Sequence, residues 1–137
     1  MARLVILGAG VAGHTAASFA TKWLGSEHEV VVVTPNALWN WIPSNIWVGV
    51  GEMSKEEVTF ELAPIYEKAG AVFKQAKAVS INPEGNGDSD KSFVTIEYTG
   101  QGKEGESENV EYDYLINATG PKLNFDATQV LVMVVVT

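Results

Sequence analysis

The chain has 137 residues, of which 46% are hydrophobic and 19% charged, as expected for one globular domain with one core. Its net charge of −8 argues against nucleic-acid binding, which depends on Lys and Arg neutralising phosphates. Because it contains no cysteine, a disulfide, a thiolate nucleophile and a cysteine-ligated metal are excluded within the chain. We see no signal-peptide pattern and no apolar run of about 20 residues, so no transmembrane segment is expected.

A glycine-rich turn lies close to the N-terminus. The apolar run of residues 4–7 leads directly into Gly8, Gly10 and Gly13, spaced as Gly-x-Gly-x-x-Gly. In such a turn the first glycine permits a tight bend, the second lets a pyrophosphate approach the backbone, and the third lets helix and strand pack closely. Val11 and Ala12 would begin the helix, whose free N–H groups favour phosphate. The motif predicts a dinucleotide-binding site.

A strand–helix–strand unit follows from this turn. The helical pattern runs from Val11 to about Trp23, and residues 29–34 (EVVVVT) have the continuous apolar character of a strand buried on both faces. In dinucleotide-binding folds an acid normally ends this second strand and binds the ribose hydroxyls. Here Thr34 and, two residues later, Asn36 hold that place, and they offer a hydroxyl and an amide instead.

An aromatic segment occupies residues 39–51, where three of the four tryptophans fall within nine residues. Pro43 and the glycines at 49 and 51 predict an irregular loop rather than a helix. Two interpretations are open. The segment is a hydrophobic loop folded onto the core, which composition alone favours, or it lies against a flat aromatic ligand with Ser44 and Asn45 as polar contacts.

The middle of the chain predicts helices at 55–58 and 61–69, then a strand at 71–76. Residues 77–82, 92–99 and 110–114 read as short strands separated by polar, turn-rich loops, which predicts a small antiparallel meander over about 77–113. Residues 114–121 (YLINATGP) form another predicted strand that ends in small residues. A glycine that only turns the chain is one interpretation. Since open α/β sheets bind ligands at the carboxyl ends of their strands, the glycine turn at 8–13 on the same sheet edge favours a ligand contact instead.

Three motifs together resemble the sulfide:quinone oxidoreductases, which are flavoproteins with two dinucleotide-binding domains. These motifs are the glycine turn at 8–13, the WIPSNIWVGVG sequence at 41–51 and the YDYLINATGPKL sequence at 112–123. The resemblance implies an α/β fold: a Rossmann-like FAD-binding domain, with a parallel sheet, helices and the antiparallel meander as an insertion. It extends over residues 1–128, which would be the N-terminal part of that domain and therefore an incomplete domain.

The resemblance also implies FAD as cofactor and assigns positions around it. Gly8, Gly10 and Gly13 would cradle the pyrophosphate, and Thr34 and Asn36 would lie at the ribose. Backbone groups of Lys77 and Ala78 would meet the adenine. The remaining positions are Pro43, Ser44 and Asn45 near the isoalloxazine, and Thr119 and Gly120 over the phosphates. No catalytic or metal-binding residue is expected.

The family oxidises sulfide through redox cysteines and passes electrons through FAD to membrane quinone, so sulfide and quinone are the implied partners. Members lie peripherally on the membrane. Because the chain has no cysteine, we expect it to resemble the first portion of such an enzyme and to be inactive alone. The alternatives are a type II NADH:quinone oxidoreductase, a flavocytochrome c sulfide dehydrogenase or a non-catalytic nucleotide-binding module.

An apolar tail ends the sequence at residues 129–137, outside the resemblance. Residues 130–136 (VLVMVVV) carry no charge and have high β propensity. They predict a strand that completes the sheet or joins another copy of the chain, which would make a homo-oligomer. A glycine codon read one base late gives valine, so we hypothesise that a frameshift in a glycine-rich stretch produced this tail; a native strand is the alternative.

Overall fold

The structure is a computed structural model in which residues 1–87 and 89–121 are described. In that part of the chain the helices are α1 (Val11–Leu24), α2 (Asn45–Gly49) and α3 (Leu62–Ala69), with 3-10 turns at Gly25–Glu27, Ile42–Ser44 and Glu56–Val58. The strands are β1 (Arg3–Leu7), β2 (Glu29–Thr34), β3 (Leu38–Asn40), β4 (Thr59–Glu61), β5 (Val72–Asn82), β6 (Phe93–Tyr98), β7 (Ser107–Glu111) and β8 (Tyr114–Asn117).

Six of these strands form one mixed sheet in the order β7-β6-β5-β2-β1-β8. Strand β1 pairs in parallel with both β2 and β8, and β2 pairs in parallel with β5. The connections through α1 and α3 are the crossovers that parallel pairing requires. Strands β5, β6 and β7 then form an antiparallel meander. The predicted α/β, Rossmann-like fold with an antiparallel meander is confirmed.

The alternation along the central strands divides the core between the two faces of the sheet. Ile6 and Val32 pack with helix residues such as Tyr66, whereas Val5 and Val33 pack with meander residues. Val30 through Val33 are each at most 2% exposed. This explains the continuous apolar sequence of β2, because a strand covered on both faces has no solvent side for polar residues.

The aromatic segment differs from its prediction. It was expected to avoid regular helix, but the 3-10 turn Ile42–Ser44 leads into the five-residue helix α2. Pro43 lies in the first turn, where its missing N–H costs no hydrogen bond, and Gly49 is the last helical residue. Only part of the segment folds onto the core: Trp39 packs against the α1–α3 side, whereas the side chains of Trp41, Ile42, Ile46, Trp47 and Val50 are exposed.

Several other element boundaries also differ from their predictions. Residues 71–76 and 77–82 were predicted as separate strands, but β5 is continuous over Val72–Asn82. The predicted helix at 55–58 is a 3-10 turn at Glu56–Val58, and the next helix begins at Leu62 after the short strand β4. Strand β7 begins at Ser107, inside a predicted loop. The apolar tail at 130–136 lies outside the described residues, so its strand and frameshift hypotheses stay predictions.

Candidate nucleotide-binding cleft

The turn between β1 and α1 is fixed by close contacts of two glycines. Gly8 has a φ of +88°, which favours glycine, and its N–H donates to the carbonyl of Val33 at 2.7 Å. A Cβ on Gly8 would lie 2.5 Å from the carbonyl oxygen of Ala118, which directly follows the neighbouring strand β8. A Cβ on Gly13 would lie 1.9 Å from the carbonyl oxygen of Gly8. Neither position accepts a side chain unless the backbone moves.

The second glycine of the motif has different surroundings. Gly10 precedes α1 with a φ of −70°, and none of the described atoms would lie within 4 Å of a Cβ added to it, apart from its immediate neighbours. No side chain caps α1, and the first helical hydrogen bond here runs from the N–H of His14 to the carbonyl of Gly10, at 2.8 Å. The amides of Val11 and Ala12 therefore begin the helix without a side-chain acceptor.

A cleft of about 640 Å³ opens above this turn, at the carboxyl ends of β1, β2 and β8. The walls come from four segments of the chain, and most of the residues are small or apolar. The lining residues are Leu7, Gly8, Ala9, Gly10, Val11, Ala12, Val33, Thr34, Pro35, Asn36, Ala76, Lys77, Ala78, Ala118, Thr119 and Gly120. Oriented backbone groups and a helix N-terminus thus define the cleft more than side-chain chemistry does.

The end of β2 supplies the polar wall of the cleft. Thr34 is only 5% exposed and is followed by Pro35, whose carbonyl oxygen accepts a hydrogen bond from the hydroxyl of Thr99 at 2.9 Å. This bond fixes the turn after β2 to the meander. Lys77 of β5 also reaches the cleft. Among the described lining residues Lys77 is the one charged side chain, and none is an acid.

The structure brings together most of the residues predicted for the site. Ten of the fourteen predicted residues line the cleft: Gly8, Gly10, Val11, Ala12, Thr34, Asn36, Lys77, Ala78, Thr119 and Gly120. Gly13 lies beneath it, against Gly8. Pro43, Ser44 and Asn45 do not line the cleft; they lie in the 3-10 turn and at the start of α2.

Sequence reasoning missed six lining residues: Leu7, Ala9, Val33, Pro35, Ala76 and Ala118. All six are apolar and carry no side-chain functional group, so residue type gave no signal. The strand register does give a signal for these residues. Leu7 pairs with both Val33 and Asn117 at the carboxyl ends of parallel strands. Residues next to those ends necessarily surround a ligand bound there.

An aromatic cluster supports the helix under the cleft. His14 of α1 lies between Trp39, Phe60 and Tyr66, at ring-centroid distances of 5.6 to 5.8 Å. Its Nδ1 shares a hydrogen bond with the Tyr66 hydroxyl at 2.9 Å. Burial lowers the pKa of His14 and raises the pKa of Tyr66 to about 12, so both groups are neutral near pH 7.

A larger cavity of about 720 Å³ lies at the opposite, amino ends of the strands. Four of its charged side chains are engaged in pairs: Arg3 with Glu29, and Lys91 with Glu111 at 2.9 Å. The groove lacks a glycine turn and a helix N-terminus, and α/β sheets bind ligands at the other end of their strands. We therefore place the candidate site in the smaller cleft.

The fold and the cleft together define a Rossmann-like dinucleotide-binding domain. The sequence profile of the pyridine nucleotide-disulphide oxidoreductase family matches residues 2–129, and the chain belongs to that family. The chain is thus a module of an oxidoreductase family. Within the residues that the structure describes, no helix is long and apolar enough to cross a membrane and no His/Asp/Glu group could hold a metal ion.

Within this family, the chain is similar to individual proteins of known name. The sulfide-quinone reductase of Aquifex aeolicus is 32% identical over 124 residues, which are 90% of this chain and 25% of that protein. The crystal structure of the sulfide:quinone oxidoreductase from the same bacterium superimposes with a TM-score of 0.72, at 29% identity, over 91% of this chain and 26% of that chain. The predicted resemblance to the N-terminal portion of this group is confirmed.

A more distant structure shows the same fold. NDH2 from Plasmodium falciparum in complex with NADH also has a TM-score of 0.72, at 22% identity, and the match covers 91% of this chain and 23% of that one. The chain spans about a quarter of the length of each of these relatives.

Proposed function

We propose that the cleft binds the ADP half of FAD. The observation that carries this proposal is the difference among the three motif glycines. Protein contacts account for the missing side chains at Gly8 and Gly13, because a Cβ there would meet backbone atoms. No described protein atom accounts for Gly10, which borders the open cleft. A phosphate seated against that backbone is the physical reason for glycine at this position.

The chain's own groups fit such a ligand. The amides of Val11 and Ala12, at the positive end of α1, would hold the pyrophosphate. Thr34 and Asn36 would hydrogen-bond the ribose, and the β5 backbone at Lys77 and Ala78 would meet the adenine. Thr119 and Gly120 would close over the phosphates. We place Pro43, Ser44 and Asn45 on the isoalloxazine side, beyond the cleft.

We propose that the parent enzyme oxidises sulfide and passes the electrons through FAD to quinone, as the similarity to sulfide-quinone reductase supports. When bound, the flavin supplies the redox chemistry, and the residues of this chain bind and orient it. Residues 1–128 are then the N-terminal part of the FAD domain, with the meander at about 77–113 as its insertion. The 137-residue chain alone is proposed to be inactive.

A type II NADH:quinone oxidoreductase or a flavocytochrome c sulfide dehydrogenase could share this module. At 22% identity, the similarity to NDH2 supports the fold alone. The identity to sulfide-quinone reductase is higher, at 32%, and favours that enzyme as the model for the parent protein. The third alternative, a non-catalytic nucleotide-binding module, agrees with the inactivity that we propose for the 137-residue chain by itself. The next two experiments measure the flavin binding and the turnover of that chain.

An absorbance spectrum between 350 and 500 nm, recorded after incubation with FAD and removal of free ligand, tests the proposal. We expect a flavin spectrum at less than one equivalent, because the cleft accounts for the ADP half of the cofactor. Loss of the signal in Gly10→Val, with unchanged circular dichroism, would assign binding to the cleft. A protein that retains no flavin and binds no ADP would contradict the proposal.

A sulfide-dependent quinone reduction assay tests the inactivity of the chain. We expect the rate to equal that of free FAD, because the chain offers no cysteine to form a persulfide and its only sulfur is in three methionines. Free FAD and a boiled sample are the controls. Turnover above both controls would show that the chain is catalytic by itself.

A further inference from the structure

The ribose end of the cleft has an unusual charge for a dinucleotide site. In such folds an acid after the second strand binds the ribose hydroxyls and would repel a phosphate on the ribose. Here the acid is missing, because the chain at this position reads Thr34, Pro35 and Asn36. Lys77 is the one charged residue in the described lining. The net charge of the whole chain is −8, so this part of the surface differs in sign from its surroundings.

The strand register places Lys77 beside the end of β2. Thr34 pairs in parallel with Gln75 of β5, so these two side chains lie on the same face of the sheet. Lys77 is two residues further along β5, before the register shift between Ala78 and Ser80, so it returns to that face. Lys77 therefore lies on the same face as the Thr34 side chain, two residues beyond the last residue pair of β2 and β5.

The acid nearest in register to Lys77 is Glu97 on the other side of β5. The two residues are paired across the antiparallel ladder of β5 and β6. None of the ion pairs among the described residues includes Lys77; they involve Arg3, Lys74 and Lys91. Lys77 is exposed, so its ammonium group is available to a ligand while Glu97 competes for it weakly.

We infer that the cleft binds adenosine nucleotides more tightly when the ribose carries a 2′-phosphate, and that Lys77 determines this preference. The inference rests on the proposed function, because it concerns the ribose end of the same cleft. Lys77 would pair with the phosphate dianion, and Asn36 would donate an amide hydrogen to it without the repulsion of a carboxylate. The ligand class is a 2′-phosphorylated adenosine nucleotide, as in the adenosine half of a phosphorylated nicotinamide dinucleotide.

Calorimetric titrations with three probes test this inference: adenosine 5′-monophosphate, adenosine 2′,5′-bisphosphate and adenosine 3′,5′-bisphosphate. For the unaltered chain we expect the 2′,5′-bisphosphate to bind about two- to fivefold more tightly than the monophosphate, which is the range of an exposed ion pair. The 3′,5′-isomer should gain less. Raising the salt concentration should reduce the preference, since Lys77 is exposed to solvent.

Four variants assign the preference to a residue. Lys77→Gln should abolish it, and Lys77→Arg should keep it. Glu97→Gln should increase it by freeing Lys77. Lys68→Gln, at the end of α3 and outside the cleft lining, removes the same charge and should leave the preference unchanged.

The outcomes separate the two proposals. Binding of the monophosphate with no gain from the 2′-phosphate overturns the inference and leaves the proposed function standing. A preference that survives in Lys77→Gln also overturns it. Failure of all three probes to bind overturns the inference together with the proposed function.

Discussion

At the residue scale, the three motif glycines are not equivalent. Gly13 permits α1 to pack on the turn, since its absent Cβ would lie 1.9 Å from the Gly8 carbonyl oxygen, whereas Gly10 borders open space. The motif alone predicted all three positions, because its spacing encodes the whole turn. The sequence could not separate the glycines that serve the fold from the one that faces the cleft, since that distinction depends on which backbone atoms surround each glycine in the folded chain.

The pair Gly13→Ala and Gly10→Ala tests this division of roles. Gly13→Ala should destabilise the protein by about 1–3 kcal/mol, because the added methyl group overpacks the turn. Gly10 has an ordinary φ and room for a methyl group, so Gly10→Ala should lower the free energy of unfolding by less than about 1 kcal/mol. It should instead weaken ADP binding. Urea unfolding and calorimetry measure the two effects, and equal losses of stability would contradict the distinction.

His14 predicts a pH dependence of stability. Burial lowers its pKa below the ordinary 6.5, so the folded state favours the neutral ring. The unfolded state then binds more protons below pH 6.5, and stability is lost as the pH falls through 6.5 towards the lowered value. Above pH 6.5 this contribution is fully present.

Urea midpoints measured between pH 7.5 and 5.5 test this dependence. The unaltered chain should lose stability over that interval, and His14→Gln should lose less of it. Tyr66→Phe is the matched control: it removes the hydroxyl that bonds His14 and keeps the buried ring, so it should be less stable at every pH but retain the dependence. An identical pH slope in His14→Gln would contradict the assignment.

At the scale of elements, β5 joins the two halves of the sheet. Its first half pairs in parallel with β2 and its second half pairs antiparallel with β6. The sequence predicted both halves but divided them between residues 76 and 77, because a change of partner resembles a strand end when only apolar periodicity is read. Strand β7 was predicted at 110–114 but spans Ser107–Glu111, since its first three residues are polar and two of them, Ser107 and Asn109, are exposed on an edge strand. The helix α2 was missed because five residues are too few for a helical period.

A polar cluster joins the three strands of the meander, β5, β6 and β7. The Nζ of Lys74 lies 2.9 Å from both carboxylate oxygens of Glu108 and 3.1 Å from the hydroxyl of Tyr98, which also donates to Glu108. Burial alone would raise the pKa of Glu108, but the hydrogen bonds from Tyr98 and Lys74, with the Lys74 charge, outweigh it and lower that pKa. The cluster thus stabilises the ionised carboxylate.

Glu108→Gln should therefore destabilise the protein by about 1 kcal/mol near neutral pH, a value suited to a partly exposed pair. Because the folded-state pKa of Glu108 is lowered from 4.5, its stabilisation is present above pH 4.5 and is lost as the pH falls below it. Denaturation between pH 6 and 3.5 should show a shallower acid limb in Glu108→Gln than in Glu104→Gln, a control on the exposed turn before β7. Parallel acid limbs would contradict this account.

At the scale of the whole molecule, the fold was predictable because strands, crossovers and turns agreed with one another along the chain. The cleft was predictable in outline, since the carboxyl ends of parallel strands define where it lies. The placement of Pro43, Ser44 and Asn45 outside the cleft was not predictable, because their distance from the glycine turn depends on how α2 packs. These residues lie in the segment that carries the exposed apolar side chains of Trp41, Ile46 and Trp47.

The central claim is that this chain binds FAD through its ADP half. Calorimetric titration with FAD, followed by competition with ADP and separately with FMN, tests it most directly. FMN carries the isoalloxazine without the adenosine, whereas ADP carries only the part that the cleft accommodates. The account predicts weak or substoichiometric FAD binding that ADP displaces and FMN does not. Tight one-to-one FAD binding that FMN displaces and ADP cannot would contradict it.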